Sequence, residues 1–312
     1  MLKFPRYYTT APADLEDLFT IVFVIIDDLY QKYAPVQVKN RKNVSQSRIS
    51  DSEIIAISLV GEMLGVDSEN AWHSFVKKNF LHLFPSLCCL SRFHRRRNCL
   101  HQTTDWIRAG LAHECGIELC ENYIVDSFPL PVCKFGRARY CKAFRTEEAT
   151  YGKCPSKKET YYGYKGHVLT TIDGFIANYV IGKASEDDRE GLYLLTENIS
   201  GITVIGDKGY TGEFLRESMA EQGITLLAMK PSHYKEQWPE AFRQLIFKLR
   251  RKIETVFSQL NEQMHAERVL AKSFWGLCTR MSDKMLAYNL SMMLASAASD
   301  TLSTHGIKSV AF

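Results

Sequence analysis

A chain of 312 residues, 46% of them hydrophobic, has enough apolar mass for about two cored domains, and it contains no low-complexity tract. No stretch reaches the roughly 18 consecutive apolar residues of a membrane span. The formal charge of +4 is too small, taken over the whole chain, to indicate a nucleic-acid partner.

The longest apolar run, Leu18 to Ile26, ends at Asp27-Asp28 and follows Asp14, Glu16 and Asp17. A signal peptide needs a basic segment there, so the run reads as a buried helix. Nine cysteines, odd in number and irregular in spacing, disfavour a disulfide framework and fit reduced thiols in the cytoplasm. They also lack the paired CxxC spacing of a zinc site.

Residues 1–120 read as an all-helical domain. Ser50-Asp51-Ser52-Glu53 carries capping-box chemistry ahead of the apolar run Ile54 to Leu64. Ser91 is placed to cap a second, strongly basic helix containing Arg92, Arg95 and Arg96. Two helices with the later one basic suit a helix-turn-helix-like DNA-binding module, though many helical bundles share that pattern.

The pattern changes near residue 122. Tyr123-Ile124-Val125-Asp126 is a short apolar strand that ends on an acid, bounded by Pro129 and Pro131. Residues 130–160 form an insert, and from 130 to 170 nine Lys/Arg face three Glu, interleaved with seven aromatics. Lys157, Lys158 and Lys165 lie in this stretch, where positive charge would neutralise phosphates and rings would stack on unpaired bases. A solvated basic loop on an ordinary enzyme has the same composition.

Tyr162 to Thr171, Asp173-Gly174 and Phe175 to Ile181 follow as a strand–turn–strand. A helix from Asp187, a strand Ile202 to Ile205 stopped by Gly206-Asp207-Lys208-Gly209, a helix over 213–222 and a strand from Ile224 come next. A long helix then runs from about Pro239 to Leu260, with Leu245, Leu249, Ile253, Val256 and Leu260 on one apolar stripe. Glu254 falls off that stripe, with Arg250 and Arg251. This order predicts an α/β fold with a ribonuclease-H-like mixed sheet flanked by helices, spanning 121–295, and a tail at 296–312.

Asp126 and Asp207 both end short apolar strands, where an acid is costly inside a core unless it is paired or bound to metal. A strand-end turn would also use Asp. A solvated Glu254 pairing with Arg250 is likewise open. Three carboxylates drawn from two strands and a helix would suit two hard divalent cations in phosphodiester chemistry. Lys208 or Arg250 would then meet phosphate. Neither a P-loop nor a GxSxG elbow is present.

The segments Ile124 to Cys133, Ser156 to His167, Gly206 to Tyr210 and Arg250 to Leu260, with Leu90 to Arg96, resemble bacterial insertion-sequence transposases of the DDE type. The nearest group in these motifs is the insertion-sequence 982 family. The resemblance implies that Asp126, Asp207 and Glu254 are the catalytic acids and metal ligands, holding two Mg²⁺, with Mn²⁺ as a substitute. It also implies DNA partners (terminal inverted repeats and target DNA), a homodimer in the synaptic complex, and contacts from the basic residues above and Arg251. A related DDE group spaces Tyr, Arg, Glu and Lys along the last helix. Here Arg250 and Glu254 match, while Phe247 and Asn261 depart.

Overall fold

The computed structural model describes residues 12–299 apart from 43, 45, 145–148, 155–157, 233, 235 and 236. Lys157 and residues 300–312 of the expected tail therefore lie outside the described residues. The chain divides into two compact units, one helical and one built on a sheet.

In the helical unit, α1 (Leu15–Tyr33) opens on Asp14, whose side chain accepts from the Asp17 amide, one of the four donors a helix start leaves unpaired. A short α2 (Val36–Lys39) leads to α3 (Asp51–Met63). The expected capping box is present: Ser50 accepts from the Glu53 amide, and the Glu53 carboxylate accepts from the Ser50 amide. Then come α4 (Glu69–Asn79), α5 (Leu90–Cys99) and α6 (His101–Glu114). α5 starts one residue before Ser91, and no side chain caps it, so the expected Ser91 cap is absent.

The sheet unit begins with β1 (Asn122–Lys134), followed by β2 (Thr150–Cys154), β3 (Glu159–Thr171) and β4 (Ile176–Lys183). α7 (Asp188–Leu195), β5 (Ile202–Gly206), α8 (Glu213–Glu221), β6 (Ile224–Ala228) and α9 (Glu240–Glu262) complete it. The strand order is β2-β3-β1-β5-β6, with β4 also on β3. β2 takes Glu159 to Gly163 and β4 takes Tyr164 to Thr170. β1 and β3 run antiparallel, while β1, β5 and β6 run parallel. Asp173-Gly174 makes the β3–β4 turn, with Gly174 at φ 98 as such a turn requires.

β1 is longer than its prolines suggested. It stays paired to β3 through Pro129 and Pro131, with a register shift between Pro131 and Cys133. The reason is positional: β5 pairs with β1 only as far as Ile124, so the prolines sit where β1 has one open edge and need no donor on that side.

The last helix, α10 (Phe274–Ser299), groups with α3, α5 and α6 in the helical unit, against the expected 121–295 boundary. Residues 296–299, assigned to the tail, continue it. Its seat is ionic as well as apolar. Arg97 donates to Asp283 Oδ2 and to Glu62 Oε1, both at 2.7 Å, and Lys284 donates to Glu62. Arg280 Nε lies 2.9 Å from the same Glu62. Buried charges persist only when paired, and here three cations surround Glu62, holding its carboxyl down at about 2 despite burial.

Candidate active site on the sheet unit

Register sets the first relationship. Ile124 of β1 stands opposite Ile205 of β5, so Asp126 and Asp207, each two residues further on, lie at the same level just past the end of the parallel β1–β5 pairing, although β1 itself continues to Lys134 and Asp126 does not end its strand as expected. Ligand sites in open α/β sheets lie outside such carboxyl ends.

Asp126 is partly buried, and the burial raises its carboxyl from an ordinary 3.8 to about 6. The Ser127 amide donates to its Oδ1 at 2.8 Å and, with Arg250, pulls the other way, while Asp207 and Asp188 push it further up. Arg250 Nη2 approaches Oδ2 at 3.4 Å. Asp207 caps a tight turn over Lys208–Tyr210, and its Oδ1 accepts the Gly209 amide at 2.7 Å. Tyr210 is buried beneath, and its hydroxyl makes no hydrogen bond among the described residues. Burial, then Asp188, Asp126 and Asp207, raises that phenol far above its ordinary range.

α9 brings the third candidate. Ile246, Ile253, Val256 and Leu260 are buried, so the inward stripe begins at Ile246, while Leu245 is half exposed. Phe257 meets Phe128 at 5.0 Å between ring centres, seating the helix beside the strand that carries Asp126. Glu254 is exposed, one turn from Arg250 and on the same side of the helix. Among the described residues no three His, Cys, Asp or Glu side chains stand as a group able to hold a metal ion. The site thus joins Asp126, Asp207 and Arg250, and leaves Glu254 one helical turn from that join. The chemistry of the donors still suits a hard cation: all are carboxylates, and the crowding at Asp126 is of like charges that a cation would relieve.

The basic candidates divide by engagement. Arg92, Arg95, Lys158, Lys208 and Arg251 are exposed. Arg96 instead donates to Ser47, to the Ile49 carbonyl and to Asp51, and Lys165 donates to Asp188 and the Glu186 carbonyl. Both are therefore internal ties, with side chains 16% and 17% exposed. Of the seven aromatics in the basic stretch, Phe144, Tyr161 and Tyr164 are buried and Tyr162 half-buried, leaving Phe135, Tyr140 and Tyr151 outward. Sequence reading missed Asp188 and Tyr210. Asp188 was legible only as part of an acidic helix start, and Tyr210 only as the end of the Asp207 motif.

A family model described as "Transposase DDE domain" matches residues 117–273, just over half the chain. The chain belongs to the DDE transposase family. The sheet unit is therefore a DDE transposase domain, a class that uses divalent metal for DNA strand cleavage and transfer. A cryo-EM structure of a piggyBac transposase synaptic complex with hairpin DNA shares the ribonuclease-H-like fold. Its TM-score is 0.50 at 10% identity, covering 94% of this chain and 78% of that one. No curated protein matches the sequence. No described helix of this DDE transposase is long and apolar enough to cross a membrane.

Proposed function

We propose that this DDE transposase recognises the terminal inverted repeats of an insertion sequence of the 982 family, cuts there, and transfers the freed strand to target DNA. Its site of action on this reading is the bacterial cytoplasm, on nucleoid DNA, and the synaptic complex is a homodimer that pairs two ends. The observation that carries it is the common level of Asp126 and Asp207 on adjacent parallel strands, with Arg250 of α9 reaching Asp126.

Asp126, Asp207 and Glu254 would hold two Mg²⁺, or Mn²⁺ in their place. Bound there, the ions would polarise the scissile phosphate and stabilise the charge on entering and leaving oxygens. Hydrolysis of one strand at the element end leaves a 3′-OH, and that hydroxyl then displaces a bridging oxygen of a target phosphodiester. Arg250, whose guanidinium approaches Asp126, would meet a phosphate oxygen on the same side of α9. Exposed Arg92 and Arg95 on α5, with Lys158, Lys208 and Arg251, would supply phosphate contacts.

The test uses pre-cut end duplexes and a supercoiled plasmid with Mg²⁺ or Mn²⁺. Strand joining by the wild-type protein, lost in Asp207→Asn while end binding persists, supports the reading. Cutting without joining makes the protein a nuclease of this fold. End binding without either makes it an inactive DNA-binding relic.

A further inference from the structure

Two consecutive residues at the start of α7 reach Asp126 and Asp207 by the same device. Asp188 Oδ1 accepts the Ser127 hydroxyl at 2.8 Å, and the Ser127 amide donates to Asp126 Oδ1 at 2.8 Å. Arg189 Nε donates to the Gly209 carbonyl at 3.2 Å, and the Gly209 amide donates to Asp207 Oδ1 at 2.7 Å. Each arm therefore runs through one intermediate residue to one carboxylate.

The base of these arms is itself held. Lys165 of β3 donates to Asp188 Oδ1 at 3.0 Å and to the Glu186 carbonyl at 2.9 Å. Asp187 caps the helix by accepting from the Arg189 amide at 3.0 Å. At the other end, Asn178 of β4 donates to the Leu195 carbonyl at 2.9 Å. Gly191 lets the helix lie against the buried His167, since a Cβ there would meet the imidazole at 2.3 Å. The helix is thus fastened to β3 and β4, and the arms extend towards β1 and the Asp207 turn.

We propose that Asp188 and Arg189 form a two-armed positioning clamp that fixes the orientation of the Asp126 and Asp207 carboxylates for cation binding. This rests on reading those two aspartates as metal ligands. Neither clamp residue would touch the cation or the DNA. Outer partners that orient ligating carboxylates typically change metal affinity by about 10–100-fold when removed.

The experiment measures Mn²⁺ affinity of the full chain by electron paramagnetic resonance, without DNA, alongside thermal melting and end cleavage. Asp188→Ala and Ser127→Ala should each weaken Mn²⁺ binding about tenfold, and the double variant should be no weaker than either alone, because both break one arm. Arg189→Met should weaken binding independently, so that its effect multiplies with that of Ser127→Ala. Asp188→Asn, which can still accept from Ser127, should recover most of the affinity. Wild-type affinity in these variants, losses that follow the melting temperature, or independent effects of Asp188→Ala and Ser127→Ala would each overturn the clamp. So would a wild-type chain that binds no Mn²⁺. Wild-type Mn²⁺ binding with no cleavage of inverted-repeat ends would overturn the transposition reading alone.

Discussion

Arg250 of α9 and Asp126 of β1, 124 residues apart in the chain, meet at 3.4 Å, and this pair is the only one that ties the long helix ionically to Asp126 or Asp207 among the described residues. Arg250 holds the Asp126 carboxyl below where burial alone would set it. Arg250→Gln should therefore move the pH midpoint of Mn²⁺ binding upward, because a proton competes with the cation for the same oxygen. Binding followed across pH 5 to about 8 checks this; an unmoved midpoint would separate the two groups.

Asp126 makes a stability prediction of definite sign. Its native value of about 6 lies above the ordinary 3.8, so between those values the folded protein binds the proton more tightly than the unfolded chain. Stability is then lost as pH rises through that window, by roughly 3 kcal/mol at most. In chelator at pH 8, Asp126→Asn should melt higher than wild type, and near pH 4 the advantage should vanish. Divalent cation should raise the melting temperature of wild type far more than that of the variant. Calorimetry at the two pH values decides.

The helical unit offers a separate test. Glu62 sits among Arg97, Arg280 and Lys284 with almost no exposure. Glu62→Ala leaves those cations without their central anion and should cost about 3–5 kcal/mol in urea unfolding. The carboxyl, held at about 2, lies below its ordinary 4.5, so its contribution is complete above about 4.5 and is lost as pH falls towards 2.

On α5, neighbouring arginines should behave differently. Arg92→Ala and Arg95→Ala remove exposed charge, so each should weaken end binding and flatten its salt dependence, by about one unit of slope for every phosphate no longer neutralised. Arg96→Ala strips a tie to Asp51 and should lower the melting temperature with little change in slope. Filter binding at several salt concentrations, with melts beside it, distinguishes the two behaviours.

Much of the sheet unit was legible because its signals are local. Asp173-Gly174 announced its turn, and Gly206-Asp207 ended its strand as the apolar run Ile202 to Ile205 required. The register that levels Asp126 with Asp207 was not legible, since strand pairing is a long-range choice. Asp188 and Arg189 read as ordinary first-turn residues because their hydrogen-bond partners lie on β1 and the Asp207 turn. α10 escaped for a related reason. Asp283 and Lys284 look solvent-facing in one dimension, and only Arg97 and Glu62, far away in sequence, explain their burial.

The stretch of β1 beyond Ile124 carries a further consequence. Among the described residues no strand lies on that flank, and such an edge would ordinarily invite another extended segment to add on, whether from a second copy or from a misfolded neighbour. Pro129 and Pro131 each lack the amide such an intruder would need, so the strand keeps its length without offering a continuous template. With no amide at either position, that flank offers an added strand no unbroken ladder.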